Sequence, residues 1–544
     1  MEIVNLFLPA TNRFATDYYA QTPEMQEYFH YNYKRPEEYE ERVKELTGRS
    51  FMRNELADHI QSFMQHYPGS NEVDESLAKL RKNNSVVVIG GQQAGILTGP
   101  LYSIHKVISI IAFAKEKEKE LGVPVVPIFW IAGEDHDYME VNHVYLEDDQ
   151  GLQKCVYPEK IHDKRMVSDC LLDRNTCLSW VREIIESFGE TEYTNELLAF
   201  SENAIKHSQS FVDFFAFITM ELFKKHGLLL VDSGNKQLRS MEKDFFIQQI
   251  HDAEGITAAV KNQQTILQNA GFNQAIEITA NAANLFYYDE ENYERVLLEY
   301  DVTANTFVGK NGLVSFTKDE LLRMASESPE KLSNNVVTRP VMQELLFPTL
   351  AFIAGPGEIS YWAELKKVFE GFGMKMPPIV PRLNITLLER DVESELTELQ
   401  LDLLKVLQSG VTDERTSYLD SIKDKSFELL FHETKEMLTE QYLRIEEKTE
   451  QEYRGLVPLL KKNKDILLKQ IQFMEGKLEE AVLQKHGVML EKYRRIETSL
   501  RPSDGPQERT WNIYYFLNKY GLNFVDDLTK LPFEFDGNHK VVKL

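Results

Sequence analysis

The sequence predicts an α/β protein with a Rossmann-like, doubly wound parallel-sheet core that carries insertions, followed by a long helical coiled-coil domain. Short β-branched runs that end in glycine-rich turns alternate with amphipathic helical stretches, which is typical of parallel sheets covered by helices. From Leu387 onward the sequence becomes charged and poor in glycine. The chain has 544 residues, several times the roughly 150 of one domain, so we expect about three structural units.

Residues 1–84 are predicted to form a helical N-terminal segment. Phe51, Leu56, Ile60 and Phe63 recur at helical spacing. The segment is also rich in aromatic side chains, which we expect in its core rather than in a binding stack.

The core is predicted to span residues 85–386 and to open with a β-α-β unit. Val86-Val87-Val88-Ile89 is typical of a strand buried on both faces, and a glycine-rich turn follows it directly. Pro100 suits the first turn of a helix, which Gly122 ends. A second apolar strand then runs to Ile131. Such a crossover is nearly always right-handed.

Two later apolar runs, at 228–231 and 349–353, also end in glycine turns and extend the parallel sheet. The polar, mixed stretches at about 151–200 and 251–335 are predicted to be insertions into this core.

Residues 387–500 are predicted to form the helical coiled-coil domain. Leu467, Ile471, Met474 and Leu478 step by four, three and four residues, which is a coiled-coil stripe. We expect this stripe to mediate a homodimer, because it would otherwise face water. Residues 501–544 contain several aromatic side chains and are expected to pack back on the core.

Composition narrows the partners and the compartment. The 86 acidic and 61 basic residues give a net charge of −25, which disfavours nucleic acid as a partner. No apolar run approaches the ~18 residues of a membrane span, and the start lacks the basic flank of a secretory signal. Three cysteines without a C-x-x-C pair indicate reduced thiols, so we expect a cytoplasmic protein that avoids membranes.

Ligands of open parallel sheets bind beyond the carboxyl ends of the strands, where the unusual loops of this sequence lie. The turn at 90–100 offers backbone N–H groups to an anion, and Gln92 and Gln93 add amide donors. It matches neither the Walker loop nor the dinucleotide fingerprint. A tight structural turn remains the alternative.

The second strand is followed by Glu134, Asp135, His136 and Asp137. Such a cluster suits proton transfer or a divalent metal, and a solvated loop is the plainer alternative. Its place at the ligand-binding edge favours function. Lys106, Arg339 and Arg382 offer positive charge to a carboxylate or phosphate, although each alone also suits a surface ion pair.

Taken together, these segments resemble the bacillithiol-biosynthesis cysteine ligase family over essentially the full chain. The resemblance is carried by Gly91-Gln92-Gln93-Ala94-Gly95, Gly99-Pro100-Leu101-Tyr102, Lys106, Phe129-Trp130-Ile131-Ala132, Glu134-Asp135-His136-Asp137, Arg339-Pro340, Gly355-Pro356-Gly357-Glu358-Ile359 and Gln507-Glu508-Arg509.

The resemblance implies a ligase that joins L-cysteine to the amine of glucosaminyl-malate and so makes bacillithiol. It also implies a Rossmann-like core related to class I aminoacyl-tRNA synthetases, connecting-peptide insertions and a dimerising coiled coil. The synthetase signatures H-x-G-H and K-M-S-K-S are not intact here, and residues 90–99 occupy the place of the first. A free carboxylate needs activation before it forms an amide, so ATP, with ADP as a related ligand, is the expected nucleotide, and Mg²⁺ is a possible companion.

The predicted mechanism activates cysteine as an adenylate, which the glucosamine amine then attacks. The predicted catalytic residues are His136 or Asp135 as proton acceptor, together with Glu134, and no residue is assigned as a metal ligand. Binding of substrate or nucleotide is expected of Gly91, Gln92, Gln93, Gly95, Gly99, Pro100, Tyr102, Lys106, Arg339, Gly355, Gly357, Glu358, Tyr361 and Arg382. Within this set, Arg339 and Lys106 are the candidates for the malate carboxylates.

Two other classes of protein fit parts of the sequence. The acidic cluster with its histidine suits a metal-dependent hydrolase of a nucleotide or sugar derivative. The coiled coil suits a non-catalytic sensor in which the α/β core binds a small molecule. Metal analysis and turnover distinguish these alternatives from the ligase.

Overall fold

The computed structural model describes residues 1–148, 151–310 and 312–544, and within them the chain divides into two compact units. The first unit contains residues 1–387 and 507–544, and the second contains 388–506. The second unit thus begins one residue after the predicted start of the coiled-coil domain, at 387, and ends six residues after its predicted end, at 500. Residue 311, inside the second predicted insertion, lies outside the described part.

The strands are β1 (Glu2–Leu6), β2 (Val86–Gln92), β3 (Val125–Ile131), β4 (His143–Asp148), β5 (Gly151–Val156), β6 (Leu229–Asp232), β7 (Ala282–Asp289), β8 (Glu294–Asp301), β9 (Thr306–Gly309), β10 (Ser315–Thr317), β11 (Leu332–Asn334), β12 (Thr349–Ala354), β13 (Ile379–Pro381), β14 (Ile385–Leu388) and β15 (His539–Lys543).

The helices of the first unit are α1 (Arg13–Ala20), α2 (Pro36–Thr47), α3 (Arg53–Met64), α4 (Asn71–Leu80), α5 (Leu101–Leu121), α6 (Tyr138–Val141), α7 (Arg174–Ser187), α8 (Thr194–His207), α9 (Phe211–Phe223), α10 (Lys236–Met241), α11 (Lys243–His251), α12 (Ala253–Asn269), α13 (Lys318–Glu327), α14 (Arg339–Leu346), α15 (Pro356–Ala363), α16 (Lys366–Gly371), α23 (Ile513–Tyr520) and α24 (Phe524–Thr529). Those of the second unit are α17 (Arg390–Glu398), α18 (Leu403–Ser409), α19 (Thr412–Ile422), α20 (Lys425–Glu452), α21 (Val457–Lys485) and α22 (Gly487–Leu500).

The central sheet is parallel and has the strand order β13-β12-β2-β3-β6. All seven residues of β3 are buried, as a strand covered on both faces requires. Helix α5 begins after Pro100 and ends at Gly122, whose φ of 65° suits glycine at a helix end. The predicted Rossmann-like fold class is confirmed.

The two predicted insertions contain their own elements. Strands β4 and β5 form an antiparallel hairpin, so this excursion begins at His143, before the predicted boundary at about 151. The second insertion contains α12 and an antiparallel sheet of order β10-β9-β8-β7-β11. Arg295 of β8 lies 3.5 Å from Asp135, so the inserted sheet brings this side chain to the carboxyl edge of the central sheet.

The predicted helical N-terminal segment contains α1 to α4, but it begins with strand β1, which was not predicted. This strand pairs with β15 from Glu2↔Lys543 to Leu6↔His539, in antiparallel register. Five residues are too few to show a period, and the partner strand lies at the far end of the chain, so no local pattern predicts the pair.

In the second unit, α20 and α21 form an antiparallel hairpin that turns at residues 453–456. The four residues of the predicted coiled-coil stripe all lie in α21, which ends at Lys485 before α22 begins at Gly487. No helix in the described ranges is both long and apolar enough to cross a membrane.

Candidate functional site

A cavity of about 650 Å³ opens at the carboxyl edge of the central sheet. Predicted site residues at the end of β2 and in α5 line one part of it: Gly91, Gln92, Gln93, Tyr102 and Lys106. Others line it from the segments around α14, α15 and β13: Arg339, Gly355, Gly357, Glu358, Tyr361 and Arg382. The pairing of the parallel strands brings these residues together, since β2, β3 and β12 end side by side.

Lys106 is buried and links two walls of the cavity. Its Nζ donates to the Gly91 carbonyl oxygen at 2.7 Å and to Glu358 Oε2 at 2.5 Å. The same carboxylate accepts the Gly355 N–H at 2.6 Å, at the first turn of α15. Burial lowers the pKa of Lys106, and Glu358 offsets part of that shift. The lysine charge is therefore already compensated by protein.

Arg339, the first residue of α14, holds the acidic residues that follow β3. Its Nε donates to Glu134 Oε1 and its Nη2 to Asp135 Oδ1, each at 2.6 Å. Burial alone would raise the pKa of Asp135, but Arg339 and Arg295 outweigh it and hold that pKa below its ordinary value. Asp135 is thus an ionised carboxylate at neutral pH, and it lines the cavity.

His136 and Glu134 do not line the cavity. The His136 ring packs edge-on against Phe286, with 6.0 Å between centroids, and its Nδ1 lies 3.5 Å from Arg295 Nη1. Burial and Arg295 lower the pKa of His136, so its imidazole is neutral at pH 7. Among the three predicted catalytic residues, the structure places only Asp135 at the cavity wall.

Gly95, Gly99 and Pro100 also lie outside the lining. A Cβ added at Gly95 would be 2.7 Å from the Gly99 Cα, so the turn folds tightly on itself. Asn512 Nδ2 donates to the carbonyl oxygens of Leu97 at 2.8 Å and Gly99 at 2.7 Å. This part of the turn therefore holds the C-terminal segment, which corresponds to the structural alternative left open by the sequence.

Arg382 belongs to a buried network that reaches the C-terminal segment. Its Nη2 and Nη1 donate to Glu508 Oε1 and Oε2 at 2.6 and 2.7 Å. His105 Nδ1 lies 3.0 Å from the same Oε2. Burial alone would raise the pKa of Glu508, but Arg382 and His105 lower it well below its usual range. Arg382 is therefore bound bidentately by a carboxylate.

Sequence reasoning missed Arg295 and Arg509, which also line the cavity. Arg295 comes from β8 of the inserted sheet, where its Nη2 donates to the Asn334 carbonyl oxygen at 2.7 Å. Its guanidinium lies 3.8 Å from the Phe286 ring centroid, and burial lowers its pKa to about 10. In the sequence, neither arginine lies near the end of a central strand. Arg509 is part of the 507–509 motif that contributes to the family resemblance, whereas no motif contains Arg295.

The two predicted glutamines differ in their side-chain contacts. Gln93 Nε2 donates to Glu140 Oε2 at 2.7 Å. The Gln92 side chain makes no hydrogen bond with any described residue. Gln92 is therefore the amide that can turn to a ligand.

The acidic cluster after β3 binds arginine side chains. Within the described ranges, no group of three or more histidine, cysteine or acidic side chains is arranged to hold a metal ion. The carboxylate oxygens of Glu134 and Asp135 instead face Arg339.

Comparison with known proteins covers the whole chain. The family model for the N-terminal Rossmann-like domain of bacillithiol biosynthesis BshC matches residues 1–383, and the model for its C-terminal coiled-coil domain matches 385–544. Relatives named "Putative cysteine ligase BshC" from Geobacillus sp. (strain WCH70), Bacillus licheniformis and Bacillus anthracis are 44%, 40% and 39% identical to this chain. Each similarity spans the full length of both proteins. The chain therefore belongs to the bacillithiol biosynthesis BshC family.

Proposed function

We propose that this protein joins the carboxyl group of L-cysteine to the amine of glucosaminyl-malate and so forms bacillithiol. The observation that carries this proposal is the cavity, which has five basic lining side chains although the whole chain has a net charge of −25. Its volume of about 650 Å³ falls within the ~300–1,000 Å³ typical of small-molecule sites. The full-length relatives are named cysteine ligases, which supports cysteine as one of the substrates.

The basic lining suits substrates that carry carboxylates or phosphates. Lys106, Arg295, Arg339, Arg382 and Arg509 surround the space. A malate group has two carboxylates, which guanidinium groups bind with paired hydrogen bonds. Asp135, Glu277 and Glu358 also line the cavity, but the basic side chains outnumber them, so an anionic acceptor fits this cavity better than a neutral sugar does.

ATP is the proposed activating co-substrate. Hydroxide is a poor leaving group, so the cysteine carboxylate has to become a mixed anhydride, here an adenylate, before an amine can displace it. The side-chain amide of Gln92, which lines the cavity, is suited to donate to the phosphate or to the developing oxyanion. Mg²⁺ would accompany the nucleotide through its phosphate oxygens.

Asp135 is the proposed acceptor for the proton that the attacking amine loses. The amine nitrogen has to lose a proton as it bonds to the acyl carbon, and an ionised carboxylate beside it can accept that proton. Asp135 is ionised and lines the cavity. His136 is assigned a positioning role, because it contacts Arg295 from outside the lining.

Mass spectrometry of the purified protein with cysteine and glucosaminyl-malate tests this function. With ATP present we expect the mass of the condensed thiol to appear, and without ATP we expect none. Glucosaminyl-malate recovered unchanged in both reactions, with cysteine and ATP at saturating concentration, would contradict the proposal. Replacing cysteine with serine provides the control for substrate identity.

A further inference from the structure

We propose that Arg509 binds an anionic group of a substrate, a carboxylate or a phosphate, in the cavity. The identity of the substrates in this inference rests on the proposed function. Arg509 lies at the edge of the C-terminal segment and has an exposed side chain that lines the cavity.

Arg509 differs from the other four basic lining residues in its charge partners. Each of the others has a carboxylate within 3.5 Å: Lys106 has Glu358, Arg295 has Asp135, Arg339 has Glu134 and Asp135, and Arg382 has Glu508. Arg509 has no carboxylate partner among residues 1–148, 151–310 and 312–544. Its positive charge is the one that a ligand anion can neutralise without displacing a protein carboxylate.

The backbone on both sides of Arg509 is fixed by hydrogen bonds, although its side chain has no carboxylate partner in the described part of the chain. The preceding residue, Glu508, is fixed by two hydrogen bonds from Arg382. Two residues further on, the Trp511 carbonyl oxygen accepts the Leu101 N–H at 2.8 Å, and Asn512 binds the turn after β2. The guanidinium is thus carried to the cavity by an anchored segment, which limits the cost of ordering it on a ligand.

A planar guanidinium suits this role because it presents parallel N–H donors to a carboxylate or phosphate. Tyr102 and Lys106, from α5, line the same space. This assignment gives the C-terminal segment a function: it docks on the glycine turn and supplies a substrate-binding cation.

The test compares Arg509→Gln and Arg509→Lys with wild type in steady-state kinetics. Cysteine, ATP and glucosaminyl-malate are varied one at a time. A hydrogen-bonded charge typically contributes enough to change binding roughly 10-fold to 100-fold, so we expect Arg509→Gln to raise one KM by that factor while kcat stays within a few-fold. Arg509→Lys should recover part of the lost affinity, because lysine keeps the positive charge but lacks the paired N–H donors of the guanidinium group.

The affected substrate identifies the anion. A raised KM for glucosaminyl-malate assigns the carboxylate, and then methyl glucosaminide, which lacks it, should react equally with variant and wild type. A raised KM for ATP assigns the phosphate. Arg323→Gln on α13 is the matched control, since this exposed arginine does not line the cavity.

Three KM values within twofold of wild type in Arg509→Gln would overturn the inference, as would an equal effect of Arg323→Gln. Calorimetric titration with glucosaminyl-malate and with ATP separates this inference from the proposed function. If wild type makes no product, weaker binding of either compound by Arg509→Gln still supports the role of Arg509. Equal binding of both compounds by variant and wild type rejects it.

Discussion

Asp135 and His136 are neighbours in sequence, but they have different access to the cavity. Asp135 lines it as an ionised carboxylate, whereas His136 contacts Arg295 from outside. We therefore expect Asp135→Asn to lower kcat by ~10²-fold or more, the usual range for an acid–base group, and His136→Ala to lower it less than tenfold. Melting temperatures of both variants check that the fold is kept. The reverse order of effects would return the role of base to His136.

Glu242 is a buried carboxyl group near Glu134, and its titration makes the stability of the protein depend on pH. Burial and the nearby Glu134 raise the pKa of Glu242 to about 8, and its Oε2 accepts a hydrogen bond from Asn334 Nδ2 at 3.0 Å. The folded state thus binds a proton more tightly than the unfolded state, where the ordinary pKa is 4.5. Its contribution to stability is complete below pH 4.5 and is lost as pH rises to about 8.

Glu242→Gln should remove this loss, because the amide stays neutral. We expect the free energy of unfolding of the variant to exceed that of wild type by a few kcal/mol, to order of magnitude, at pH 9, and by much less at pH 5. Urea denaturation between these pH values measures the difference, with Glu183→Gln at an exposed position as control. Parallel pH curves for wild type and Glu242→Gln would show that Glu242 titrates normally.

At the scale of elements, the turn between β2 and α5 depends on close backbone approach. A Cβ on Gly95 would lie 2.7 Å from the Gly99 Cα, whereas a Cβ on Gly69 meets nothing within 4 Å. We expect Gly95→Ala to destabilise the protein by about 1–3 kcal/mol, as overpacking does, and Gly69→Ala to change stability by less than about 0.5 kcal/mol. Thermal unfolding measures both. Equal melting temperatures of the two variants would contradict the packing described here.

Elements with strong local signals are the ones that the sequence predicts. Strands β2 and β3 and helix α5 have apolar runs, a proline start and a glycine end that each act over a few residues. The same local signals predict the part of the cavity wall that is formed by residues at the ends of these strands, such as Gln92 and Asp135. Arg295 and Arg509 were not predicted, because tertiary contacts of the inserted sheet and the C-terminal segment bring them to the cavity.

At the scale of the whole molecule, the hairpin of α20 and α21 has an apolar groove that suits self-association. Leu430, Leu467, Ile471 and Met474 line it, and Leu430 and Met474 are 55% and 56% exposed. We expect wild type to be a dimer at tens of micromolar and Leu467→Glu to shift it towards monomer. Gln472→Glu adds the same single negative charge at an exposed position of α21 outside the groove and should leave the dimer intact. Light scattering showing a wild-type monomer would refute the prediction.

In the proposed reaction, the protein makes an amide from a cysteine carboxylate that ATP has activated as an adenylate. Cysteine labelled with ¹⁸O in its carboxyl group tests it most directly, because adenylation transfers one carboxylate oxygen to AMP when the amide forms. With labelled cysteine, ATP and glucosaminyl-malate, we predict bacillithiol together with AMP that contains one ¹⁸O. Label in inorganic phosphate would contradict the adenylate route, and the absence of labelled nucleotide with cysteine and glucosaminyl-malate unreacted would contradict the proposed ligase activity.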